Sequence, residues 1–177
     1  FEKTAIRFRR HPFIAYKDRE YTYGATLEEV KLLARSLYAC GVRAGHHVAL
    51  LLYNSPEYVF LTFALSMLGA VKVPVNMKLS EEEKAYIIRQ SDSIFVISHS
   101  QKQLPQWESL SQVACAVVRY SDPEDGREKK LLHWSRFLYL GQESEHMPIA
   151  AADSQRSSDI LYTSGSTAFP KGVMVTQ

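Results

Sequence analysis

Four hydroxyl side chains crowd around one glycine near the end of the chain, in Thr163, Ser164, Gly165, Ser166 and Thr167, and a cation follows at Lys171 ahead of Gly172. Hydroxyls and backbone N–H groups of such a loop donate hydrogen bonds to phosphate oxygens, and lysine adds positive charge on a flexible stem. Ser, Thr, Gly and Pro between strands ordinarily make turns, so composition alone does not define a site. Order and spacing carry more. A Walker A loop needs glycine before its lysine, Ser or Thr after it and a helix beyond. Here Pro170 precedes Lys171, Gly172 follows it, and Val173, Met174 and Val175 read as a strand. Residues 159–162 read as a short strand on the near side, which makes a strand, a loop and a strand.

Such a loop needs a frame, and the preceding chain supplies alternating elements. Residues 13–16 and 21–23 are aromatic-rich runs around Lys17, Asp18, Arg19 and Glu20, a pattern that predicts an antiparallel hairpin. Thr26 and Glu29 have capping-box spacing, and Leu27, Val30, Leu33, Ala34 and Leu37 recur at helical spacing up to Gly41. The apolar run 47–52 predicts a strand covered on both faces. Ser55 and Pro56 open a second helix with Phe60, Phe63, Ala64, Met67 and Leu68 as its buried stripe and Gly69 at its end. A strand at 70–75, a helix capped by Ser80 and Glu83, and a strand at 94–98 continue the beat. A helix at 106–112, a strand at 114–119 and a charged loop at 121–130 follow, and 141–158 reads as a polar surface connection. The alternation predicts an α/β fold, a mostly parallel, doubly wound sheet flanked by helices.

The 177 residues suffice for one full-sized domain with its own core. Lys and Arg outnumber Asp and Glu by 21 to 19, an excess too small to steer the chain to nucleic acid. Cys40 and Cys115 lack CxxC spacing and fit small core residues of a reduced compartment, hence a cytoplasmic expectation. The longest apolar stretch, 58–71, falls short of the roughly 20 residues that span a bilayer. The histidines are scattered and offer no i, i+4 pair, so no metal site is expected. Trp107, Trp134, Phe137 and Tyr139 are expected in core or interface, and Glu81, Glu82 and Glu83 suit the first turn of a helix.

The segment from Tyr162 to Thr167, followed after two residues by Pro170, Lys171, Gly172 and Val173, resembles the phosphate-binding signature of the adenylate-forming, AMP-binding superfamily. Two earlier segments agree: Tyr21, Thr22 and Tyr23 leading into a helix resemble the family's first motif, and Leu68 through Asn76 its second. The resemblance spans nearly the whole chain and favours the acyl-CoA synthetase branch. It implies that the chain is the N-terminal part of an AMP-binding domain in a ligase that uses ATP with Mg2+ to convert a fatty or aryl carboxylic acid to an acyl-adenylate, then passes it to coenzyme A. Thr163, Ser164, Gly165, Ser166, Thr167, Lys171 and Gly172 would hold the phosphates. The chain begins without methionine and ends at Gln177, soon after Lys171. The expectation is therefore a fragment, inactive alone and prone to self-associate through the surface that the rest would cover. The alternatives are a non-catalytic α/β binding module and the adenylation domain of a peptide synthetase.

One position departs from the signature: the family has glycine where this chain has Ala168. If the backbone there takes φ > 0, alanine costs on the order of 1 kcal/mol relative to glycine. In the full-length protein Ala168→Gly is expected to tighten ATP binding several-fold, and equal affinities of the two proteins would remove the effect.

Overall fold

The computed structural model describes residues 1–105, 110–120, 131–144, 147–150, 153, 155–163 and 170–176. A short helix α1 (Glu2–Arg7) leads into the expected hairpin of β1 (Pro12–Tyr16) and β2 (Arg19–Thr22). Helix α2 (Tyr23–Ala39) starts one turn before the Thr26 and Glu29 pair that the sequence suggested as its cap. The reason lies in its first amides: Tyr23 and Gly24 donate to the His11 and Arg9 carbonyls, and Ala25 to Thr22 Oγ1 at 3.1 Å. With those donors satisfied the helix can begin earlier, which places Thr26 inside it, fully buried. At its far end the amides of Gly41 and Val42 turn back onto the Tyr38 and Leu37 carbonyls and close the helix.

Seven strands form the main sheet in the order β7-β6-β5-β3-β4-β8-β9. They are β3 (His47–Leu51), β4 (Val71–Pro74), β5 (Phe95–Ser100), β6 (Cys115–Tyr120), β7 (Leu131–His133), β8 (Ser157–Thr163) and β9 (Lys171–Thr176). All neighbours run parallel except β8 and β9, which form an antiparallel hairpin. The central strand β3 shows why the fold is doubly wound. Its Val48 and Leu50 belong to one core, with residues of α2, α3 (Pro56–Leu68) and α5 (Trp134–Glu143). Its Ala49 and Leu51 belong to the other, with Ile87 and Ile88 of α4 (Glu81–Gln90). Alternate side chains thus feed two cores, as a strand buried on both faces requires.

The helix starts at Ser55 and Ser80 stand as read, each serine oxygen accepting an amide proton from the first turn, and Ser80 and Glu83 form the full capping box. In α3 the buried stripe differs from expectation: Leu61 and Leu65 are fully buried, whereas Phe63 and Met67 are only partly so. Phe63 instead stacks on Phe1, with ring centroids 4.1 Å apart. Residues 106–109 and 121–130 fall outside the described set, and Ser111 and Gln112, expected in a helix, form a turn.

The polar connection expected over 141–158 is shorter than read. Helix α5 runs through Gly141 to Glu143, and Ser157 and Ser158 already belong to β8. Composition hid the helix because its contact is made by a glycine. An added Cβ at Gly141 would lie 2.2 Å from Ser36 Oγ and 2.7 Å from the Leu32 carbonyl oxygen, and Arg35 Nε donates to the Gly141 carbonyl at 3.0 Å. Phe137 of α5 is fully buried, beside Trp134. Cys40 and Cys115 are free, half-buried and packed against the first core; burial pushes their thiols up to about 11 and about 12.

Strand β9 is exposed along its whole length, with Val173, Met174 and Val175 uncovered. Gly141→Ala should lower stability by about 1–3 kcal/mol, the usual cost of overpacking a tight contact, in a urea melt. A change within experimental error would show that α2 and α5 can move apart freely.

Candidate functional site

Three parallel strands, β3, β4 and β8, bring their carboxyl ends to one edge of the sheet. After β3 the chain crosses to the face that holds α3, and after β4 to the face that holds α4. Connections that leave adjacent strands toward opposite faces open a crevice at the carboxyl edge, the usual ligand position in open α/β sheets. A cleft of about 990 Å³ lies there. Its walls are Tyr53 and Asn54 after β3, Asn76, Met77 and Lys78 after β4, Tyr58 of α3, and Leu161, Tyr162, Thr163 and Pro170 of the hairpin region. The turn after β4 is pinned by Asn76, whose Oδ1 accepts from the Lys78 amide at 2.9 Å.

The strand, loop and strand expected around the Ser/Thr-rich segment is the β8–β9 hairpin. Its last cross-strand pair is Thr163 opposite Lys171, so the two described ends of the loop are adjacent across the ladder. Thr163 borders the cleft and both residues are solvent-exposed. Ser164, Gly165, Ser166 and Thr167, with Ala168 and Phe169, lie outside the described residues.

Gly172 sits opposite Tyr162, and a Cβ there would approach the Tyr162 ring to 3.0 Å. Its visible task is to make room for that ring, whose hydroxyl donates to Gln90 Oε1 at the end of α4. Burial raises the Tyr162 phenol above its ordinary range, with further contributions from Tyr86 and Asp92 that outweigh a hydrogen bond to Ser91. The phenol therefore keeps its proton and its donor role.

On the opposite face of the sheet an ion pair joins the hairpin to its neighbour. Lys72 Nζ lies 2.9 Å from Asp159 Oδ1, with side chains only 14% and 21% exposed. The sequence offered a faint signal, a lysine inside Val71–Pro74 and an acid at the head of an apolar strand. Its meaning was hidden because β4 meets β8 only across a long stretch of chain. Among the described residues no group of three or more His, Cys, Asp or Glu side chains converges on a metal-sized site.

The family model described as AMP-binding enzyme matches residues 1–177. The chain belongs to that family. Curated relatives include crotonobetaine/carnitine–CoA ligase of Salmonella enteritidis PT4, 31% identical over 182 residues, which cover 99% of this chain and 34% of the relative. The 4-hydroxybutyrate–CoA ligase 2 of Metallosphaera sedula is 30% identical over 178 residues, 98% of this chain and 32% of the relative. Among solved structures, an anthranilate CoA ligase in complex with anthranoyl-AMP superposes with a TM-score of 0.84 at 27% identity, over 99% of this chain and 33% of that one. The o-succinylbenzoate CoA synthetase of Bacillus subtilis bound to its acyl-adenylate gives 0.76 at 26% identity, over 99% and 41%. This AMP-binding chain thus spans about a third of the length of the curated relatives it matches. Among its described residues no helix is long and apolar enough to cross a membrane.

Proposed function

We propose that this AMP-binding chain is the N-terminal portion of the adenylation domain of an ATP-dependent acyl-CoA ligase. The substrate is an aliphatic or aryl carboxylic acid, and the acceptor is coenzyme A. The observation that carries the reading is the Thr163–Lys171 pair, which closes a hairpin at the carboxyl edge beside the cleft. The relatives named above support it, since each name joins a carboxylic acid to CoA. They favour a CoA ligase over both the peptide-synthetase reading and the non-catalytic module.

In this reading Thr163, Ser164, Gly165, Ser166, Thr167, Lys171 and Gly172 form the phosphate loop. Its hydroxyls, amides and the Lys171 ammonium hold the β and γ phosphates and neutralise charge on the departing pyrophosphate. A carboxylate oxygen attacks the α-phosphorus, the bond to the bridging oxygen breaks, and pyrophosphate leaves with that electron pair. The CoA thiol then attacks the acyl carbon and AMP departs. Mg2+ bound with ATP would be held mostly by ATP oxygens and water, with the Thr163 and Thr167 hydroxyls as hard-oxygen donors from the loop, and would supply further charge neutralisation on the phosphates. A cytoplasmic setting belongs to the same reading and is supported by the two free cysteines.

The test is carboxylate-dependent exchange of pyrophosphate into ATP by the full-length protein. Lys171→Ala is expected to lower the exchange rate on the order of 10²-fold, the typical cost of removing one charge-stabilising donor. An unchanged rate would take Lys171 out of the phosphate site. The isolated 177-residue chain is expected to self-associate through β9, an uncovered edge strand with exposed Val173, Met174 and Val175. Sedimentation as a strict monomer at high concentration would contradict that.

A further inference from the structure

Strand β8 joins the sheet against β4 at one ladder position, Lys72 opposite Asp159, and β9 beyond it has no further described neighbour. Side-chain contacts that hold the hairpin in place include buried Ile160 on the α4 face, the Tyr162–Gln90 hydrogen bond, and the ion pair on the α3 face. The ion pair is fully dressed. Lys72 Nζ lies 2.9 Å from Asp159 Oδ1 and donates to Thr62 Oγ1 at 3.4 Å, and the Tyr58 ring centroid is 5.7 Å away. Thr62 in turn donates to the Tyr58 carbonyl at 2.9 Å, which leaves its oxygen to accept from the lysine. Asp159 Oδ2 accepts from Ser158 Oγ at 2.7 Å.

Register is the issue that such a pair decides. A slip of β8 by one residue would turn Ile160 out of the core, which its burial forbids. A slip by two keeps every side chain on its own face, so the alternation of faces does not oppose it, although Ser158 or Tyr162 would then take the place of buried Ile160. It would shift Thr163 and Lys171 along the strand by roughly 7 Å. It would also put Ser157 or Leu161 in place of Asp159, and Asp159 is the only acid in β8. Lys72 would then keep a largely buried charge with Thr62 and Tyr58 beside it but no acidic partner, a costly arrangement. Because Tyr58, which packs on the lysine, also lines the cleft, the same cluster ties the hairpin's register to the cleft wall.

We propose that Lys72 and Asp159 are positioning residues that select the register of β8 on β4 and thereby set the phosphate-loop hairpin against the cleft. The consequence for catalysis rests on the ligase reading above, whereas the register claim stands on its own. Full-length protein carrying Lys72→Met, Asp159→Asn and the reversed pair K72D/D159K separates the two. Backbone hydrogen exchange is expected to rise in Ser157–Thr163 and Lys171–Thr176 of each single variant while α2 keeps its protection, and to return toward the parent's in the reversed pair. In pyrophosphate exchange each single variant is expected to lose on the order of 10²-fold in kcat/KM for ATP, the scale of an ångström-sized misplacement, with recovery in the reversed pair. Hairpin exchange unchanged in both single variants overturns the register role. Faster hairpin exchange with kcat/KM for ATP unchanged overturns the link to the phosphate site. Parent protein that performs no ATP chemistry defeats the ligase reading and leaves the hydrogen-exchange result to decide the register.

Discussion

The attachment of β8 to β4 is the contact on which the candidate site depends. Everything up to β4 is a conventional two-faced sheet whose central strand feeds alternate residues into two cores. Strand β8 arrives late in the sequence, pairs at an edge, and carries a hairpin whose outer strand is bare to solvent. Contacts of three unlike kinds help to hold it, one apolar, one hydrogen-bonded and one ionic. An ion pair here is weak evidence of stability, since desolvation offsets much of the attraction. Its value is selectivity, because an apolar pair at the same place would tolerate a slip.

The fold places the cleft by topology rather than by any one residue. The chain leaves β3 toward the face of α3 and leaves β4 toward the face of α4, so the edge between them cannot be closed by either connection. The hairpin region adds the third wall with Leu161, Tyr162, Thr163 and Pro170. Gly172 contributes by what it lacks, leaving the Tyr162 ring room to reach Gln90.

Much of this was legible in the sequence, and the exceptions have physical causes. Local signals were read correctly where a side chain caps its own helix, as at Ser55 and Ser80, or where an apolar run fills a central strand, as at His47–Leu51. The start of α2 was misread because its first donors are satisfied by residues far from the cap, the His11 and Arg9 carbonyls. Helix α5 was missed because Gly141, read as a loop residue, packs directly on Leu32 and Ser36 of α2. Thr163, Lys171 and Gly172 were picked out by motif, and the two strands that carry them were read where they stand. Lys72 and Asp159 were not, since only a long-range strand pairing brings them together.

In the ligase reading proposed above, a carboxylate oxygen attacks the α-phosphorus of ATP. The most direct measurement follows oxygen: the full-length protein is given a carboxylic acid labelled with oxygen-18 in its carboxyl group, together with ATP and CoA, and the products are weighed by mass spectrometry. Attack at the α-phosphorus leaves one labelled oxygen in AMP and none in pyrophosphate. Label in inorganic phosphate with formation of ADP would place the attack at the γ-phosphorus and contradict that reading.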